Sequence, residues 1–170
     1  MTDSGITFTV DATEPSHQRM RVSIEIRAPF SKPKLTLSFP RWVPGSYFLR
    51  EPIQHVTELS VFDDSGDALT FSRKDVDSIV ISNVQSCKHV TVEYLLLAVD
   101  LTVRSNHFDD SHLHMMPPFT WFLPTSGIEG ERMDFQHSIR FKLPKSWKVH
   151  ALLSLPLLLH VASQLYHLGG

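Results

Sequence analysis

The sequence predicts an all-β fold: an antiparallel β-sandwich over residues 1–150, followed by a leucine-rich tail at 151–170 that suits one C-terminal helix. Three observations carry this. Apolar residues recur at every second position in many short runs, proline- and glycine-containing turns separate the runs, and no amphipathic helical pattern precedes residue 150. At 170 residues and 42% hydrophobic content the chain is long enough for one well-buried core and short for two.

Taken in order, Ile6, Phe8 and Val10 alternate with polar neighbours, as do Met20, Val22, Ile24 and Ile26, so each run reads as a strand with one wet face. Leu35, Leu37 and Phe39 form a third strand, which Pro40 stops. From Ile53 to Val61 the odd positions share a face, and Asp63-Asp64-Ser65-Gly66-Asp67 turns the chain into Ala68–Phe71 as a hairpin. Ser78–Ser82 is a short strand. Lys88–Val99 is a long one whose end becomes wholly apolar, which predicts cover on both faces there, with Leu101 and Val103 continuing it. Met115–Pro124 is apolar and bounded by prolines, and reads as a short buried strand. Phe135, His137, Ile139, Phe141 and Leu143 alternate cleanly up to Pro144. In the tail, Leu157, Val161, Leu165 and Leu168 fall at helical spacing, while Pro156, His160, Gln164 and His167 make Ala151–Leu168 a poor membrane span.

One stretch goes beyond a generic strand. In Phe39-Pro40-Arg41-Trp42-Val43-Pro44-Gly45-Ser46-Tyr47-Phe48-Leu49-Arg50-Glu51, Pro44 and Gly45 suit the two central positions of a type II turn. Two readings follow from residue types. Trp42 and Tyr47 plug one end of the core while Arg41, Arg50 and Glu51 stay solvated, or the loop is a surface that docks a partner domain or ligand.

Composition excludes several classes. A formal charge of −2 and the lack of a long basic run argue against nucleic acid or an anionic membrane as the main partner. Cys87 is the one cysteine, so no internal disulfide forms, and the polar N-terminus lacks a signal-peptide pattern; a cytoplasmic location is expected. No Gly-x-Ser-x-Gly elbow surrounds Ser46, no phosphate loop exists, and Cys87 reads as buried or inert. His107, Asp109, Asp110, His112 and His114 form the densest set of possible metal ligands, with His112 and His114 on one face of a strand. The competing reading is structural, with Arg104 pairing with Asp109 or Asp110 to order the loop and orient His107 and His112.

The run Pro40 to Tyr47, the Arg50-Glu51 pair and the acidic glycine hairpin resemble the N-terminal domain of the glycyl aminopeptidases, metallopeptidase family sixty-one. Val103-Arg104-Ser105-Asn106-His107-Phe108-Asp109-Asp110-Ser111-His112 is similar to that family's Arg-x-x-His-x-Asp-x-x-His segment. The resemblance runs from Ile6 to Val149, and the Met115-Met116-Pro117-Pro118 continuation and the tail depart from it. It implies a non-catalytic domain that packs on a thermolysin-like zinc domain, bounds the substrate cleft and precedes a PDZ domain. Zinc belongs to the full-length family: none of the ten histidines begins the His-Glu-x-x-His motif that holds zinc and supplies the general base, so no catalytic or metal residue is assigned here. The chain alone is expected to be inactive. Trp42, Tyr47, Arg50, Arg104, His107, Asp109 and His112 are the candidates for the cleft or domain interface. The alternatives are an independent sandwich module that binds peptide or carbohydrate through the aromatic loop, and a metal-binding protein using the histidine segment. An unpartnered apolar interface also predicts self-association.

Overall fold

A computed structural model describes residues 4–129 and 136–150, and the backbone of 158–161 and 164–165. The order of elements is β1 (Gly5–Asp11), β2 (Arg19–Arg27), β3 (Lys34–Ser38), β4 (Val56–Phe62), β5 (Phe71–Arg73), β6 (Ser78–Ser82), β7 (Val90–Leu97), β8 (His107–Phe108), β9 (Leu113–His114), β10 (Leu123–Ser126), β11 (Gln136–Lys142), β12 (Leu158–Val161) and β13 (Gln164–Leu165). Three short 3-10 turns, Pro15–His17, Pro52–His55 and Pro117–Phe119, each start at a proline, whose fixed φ suits a first helical position.

The strands form a seven-stranded sheet in the order β13-β12-β11-β1-β2-β7-β4, a four-stranded sheet β10-β3-β6-β5, and the small hairpin β8-β9. Pairing is mainly antiparallel, but β1 runs parallel to β11 from Gly5↔Gln136 to Asp11↔Lys142, and β11 is parallel to β12. The sandwich is therefore mixed at this edge. Alternation sets the register: Ile6, Phe8 and Val10 of β1 share the buried face with Met20, Val22, Ile24 and Ile26 of β2. Those residues join Leu35, Leu37, Ile79 and Ile81 of the second sheet in one core. Phe39, Tyr94 and Phe122 fill one part of it, with the Phe39 and Phe122 rings 4.3 Å apart and Tyr94 edge-on to both.

Several expected elements differ. Ile53 to Val61 is not one strand, because Pro52 starts a 3-10 turn and a bulge interrupts β4 between Thr57 and Ser60, where Glu58 takes φ +52°. The hairpin around Gly66 is short, closing at the Phe62↔Ala68 bridge with Asp63 N–H to the Asp67 carbonyl and Leu69 N–H to the Val61 carbonyl; β5 then joins the other sheet. Met115–Pro124 is not one strand: Pro117–Phe119 form a 3-10 turn, since adjacent prolines at 117 and 118 remove two ladder donors, and strand begins only at Leu123 in β10. The apolar end of β7 is not covered twice, as Leu97 and Val99 are exposed and the strand stops before Leu101 and Val103. In the tail the described parts are strands: Leu158–Val161 pairs with the open edge of β11, and the hydrogen bonds offered there outweigh helical spacing. Phe135 and the rest of 151–170 lie outside the described residues. Among the described residues, no helix is long and apolar enough to cross a membrane.

Candidate functional site

The central loop is built around a turn that the sequence announces. Ser46 N–H donates to the Val43 carbonyl at 3.1 Å and Gly45 takes φ +83°, as the second central position of a type II turn requires. Trp42 Nε1 donates to the Ser46 carbonyl at 2.7 Å, and the buried Ser46 Oγ donates to the Phe48 carbonyl at 3.0 Å. Arg50 N–H donates to the Arg41 carbonyl at 2.8 Å, drawing the two ends of the loop together. Buried Phe39 anchors its start in the core.

This rigid frame turns its aromatic residues outward. Trp42 is 55% exposed, Tyr47 97%, and Phe48 and Leu49 are also exposed, so Trp42 and Tyr47 do not plug the core. Phe39, Trp121 and Phe122 take that place. The arginines are less solvated than expected. Arg41 reaches Glu51 at 3.9 Å, yet the Nε atoms of Arg41 and Arg50 are shielded and find no hydrogen-bond partner among the described residues.

Arg50, Glu51 and Pro52 form one wall of an open groove of about 720 Å³. The other wall is the chain leaving β7, with Leu97, Val99, Val103 and Arg104, and Asn106 and Phe119 complete it. The structure thus brings Arg50 and Arg104 to one groove although 54 positions separate them in sequence (104 − 50). Trp42 and Tyr47 stand outside its lining, on the adjoining loop.

The histidine segment follows directly. Phe108 N–H donates to the Ala98 carbonyl at 2.8 Å, and the buried Phe108 ring meets Trp147 edge-on at 6.1 Å. Asn106, which no sequence pattern singled out, is a buried cross-brace: Nδ2 donates to the Phe119 carbonyl, and Oδ1 accepts from Met116 N–H and Thr120 Oγ1. A lone asparagine in a polar run looks like a loop residue, so its burial had no sequence signal.

Asp109 organises the β8–β9 turn. Its Oδ1 accepts from Ser111 Oγ at 2.6 Å, Ser111 N–H at 2.8 Å and His112 N–H at 3.0 Å, while Oδ2 lies 3.0 Å from His107 Nε2. His107 Nδ1 donates to the Val99 carbonyl at 2.7 Å. The Ser111 hydroxyl and then His107 hold the Asp109 carboxyl far below the usual carboxylate range, while Asp109 and then the Val99 carbonyl raise His107 above its ordinary value. Arg104 does not take part: Asp109 pairs with His107 and His112 instead, because His107 at the start of β8 and His112 in the turn are only two and three residues from it. His112 and His114 do not share a strand face either, since His112 is in the turn and His114 sits in β9 opposite His107. Cys87 is half-buried, its Sγ faces the Asn83 carbonyl, and burial followed by Asp63 and Asp64 pushes its thiol up, which makes it a poor nucleophile.

Residues 7–155 match the family model described as the peptidase M61 N-terminal domain. The chain belongs to this family. A crystal structure of an aminopeptidase N family protein from Idiomarina loihiensis is similar, with a TM-score of 0.70 and 22% identity over 82% of the present chain. At that identity the likeness shows the fold alone, and the match spans 22% of the length of that protein. No curated protein matches the chain.

Proposed function

We propose that this M61 N-terminal domain packs on a thermolysin-like catalytic domain lying outside these 170 residues, and that it bounds the substrate cleft there. The observation that carries the reading is the apolar surface around the groove. Val99 and Val103 are exposed in the lining of the groove, and Tyr47, Phe48 and Leu49 are exposed on the internally braced loop that leads into its Arg50 wall. Exposed apolar residues beside a groove mark an interaction surface. Zinc and the general base would come from the catalytic domain's His-Glu-x-x-His, because this chain has no such motif. The substrates would be peptides with a small N-terminal residue, hydrolysed in the cytoplasm. Residues 1–150 are the docking unit, and an unpartnered copy self-associates through the same surface.

The test is aminopeptidase activity on glycine or alanine substrates with zinc, for this chain, for a separately made family catalytic domain, and for the mixture. Activity in the mixture above that of the catalytic domain alone supports the reading. Chelator-sensitive activity of the isolated chain overturns it. A second reading, an independent module that binds peptide or carbohydrate, is favoured by the outward Trp42 and Tyr47; it gains if the mixture gives no increase and a peptide or glycan quenches Trp42 fluorescence.

A further inference from the structure

The β8–β9 turn presents two imidazoles and a carboxylate whose ligand atoms, one each from His107, Asp109 and His112, all lie within 4.8 Å of one another. The protonation pattern of this group is constrained. The Val99 carbonyl can only accept, so His107 Nδ1 carries a proton, and in the neutral ring Nε2 holds the lone pair. Asp109 Oδ2 lies 3.0 Å from that nitrogen, a contact met either by a proton on Nε2 or by a metal cation held between the two atoms. The other carboxylate oxygen, Oδ1, is already committed to the turn's own N–H and hydroxyl donors, which leaves Oδ2 to the ion without loosening the loop.

We propose that His107 Nε2, Asp109 Oδ2 and the His112 ring form a site for a divalent ion of the zinc class. Two imidazoles and one carboxylate are a donor set that zinc takes in three-ligand sites, with water in the fourth position. Tetrahedral bonds of about 2.0–2.1 Å place ligand atoms roughly 3.3–3.4 Å apart. The His107 to Asp109 separation of 3.0 Å is already near that, and the exposed His112 ring closes the rest by exchanging its contact with Ser111 Oγ for the ion. The Nδ1–H bond to the Val99 carbonyl is the outer-shell support that orients a ligating histidine. Since Val99 lines the groove, the ion would tie that wall to the 109–112 turn. The proposal rests on residues of this chain only and stands or falls independently of the aminopeptidase reading.

The full 170-residue chain, freed of metal with a chelator, is titrated with zinc chloride by calorimetry and with cobalt(II) by visible absorption at pH 7.5. The expected result is one ion per chain and the absorption bands of a tetrahedral cobalt centre. Affinity should fall at least about tenfold in His107→Ala, His112→Ala and Asp109→Asn, and stay unchanged in the controls His89→Ala and His150→Ala. Asp109→Asn keeps an oxygen for the turn's N–H groups, and His112→Ala removes an exposed ring, so both retain the fold; far-UV circular dichroism checks this. No stoichiometric binding, or binding that all three ligand variants leave unchanged, overturns the site and assigns the cation between His107 and Asp109 to a proton.

Discussion

Tyr47 separates docking from folding. It is 97% exposed and its side chain makes no hydrogen bond among the described residues, while the turn that carries it is held by Trp42, Ser46 and the Gly45 backbone. Tyr47→Ala should therefore shift the unfolding free energy by no more than about 0.5 kcal/mol, as expected for a surface change away from caps, cavities and buried polar groups. If the ring is buried against a catalytic domain, its transfer from water is worth about 1.5–3 kcal/mol. At 1.4 kcal/mol per factor of ten, that weakens the complex roughly 10- to 150-fold. Calorimetric titration of the chain against the separately made catalytic domain gives the affinity, and urea unfolding of the chain alone gives the stability. A dissociation constant within about threefold of wild type would refute the placement of Tyr47 at the interface. A large loss of stability would instead show that the ring supports the domain from within.

Gly127→Ala should be far more disruptive than Gly66→Ala. Both glycines have positive φ, costing about 1–2 kcal/mol for any other residue, but a Cβ at Gly127 would overlap the Lys34 carbonyl oxygen and lie 2.8 Å from Leu35 Cα, whereas the space at Gly66 is open. Backbone crowding adds about 1–3 kcal/mol at Gly127 alone, read out by urea unfolding of the two variants. Tyr94→Phe removes the buried hydroxyl that donates to the Thr120 carbonyl and should cost about 1–3 kcal/mol, with little loss if water reaches that carbonyl. Asp11 carries a pH signature. Burial pushes its carboxyl up, but hydrogen bonds from Thr13 and the charge of Lys142 outweigh this and hold it below 3.8. Its contribution to stability is then present above pH 3.8 and lost as pH falls below it, so the acid limb of a stability curve should flatten in Asp11→Asn.

What was legible followed from local periodicity. The strands β1, β2, β3, β11 and the first part of β7 alternate apolar and polar residues, β6 is a short apolar run between serines, and the Pro44-Gly45 turn follows from two residues whose φ values are restricted or free in complementary ways. The parallel pairing of β1 with β11 was not legible, because it joins residues about 131 positions apart, as Thr7 and Ser138 show, and nothing local encodes a partner so distant. The 3-10 turns at Pro52 and Pro117 occupy parts of the expected strands because a proline's fixed φ suits the first position of a helical turn as well as a strand end, and apolar content does not separate the two. In the site, the residue types of Arg50, Arg104, His107, Asp109 and His112 were visible, but their grouping into a groove and a turn depended on the braces at Asn106 and Ser46.

The failures concentrate on one surface. Trp42 and Tyr47 point outward where their types favour burial, and the apolar end of β7 continues as Leu97, Val99, Leu101 and Val103 on the exterior. Meanwhile the polar Ser46, in the same loop as Trp42 and Tyr47, and Asn106, three residues after Val103, are buried. Each inversion alone is unremarkable, since single exposed apolar residues are common. Their coincidence at one loop system is different, because the buried polar residues make it rigid and the exposed apolar ones make it adhesive. A loop that only had to close the sandwich would need neither the Trp42 to Ser46 hydrogen bond nor the three-way Asn106 brace. A loop that presents a fixed shape to a partner needs both, because preorganisation reduces the ordering cost on binding.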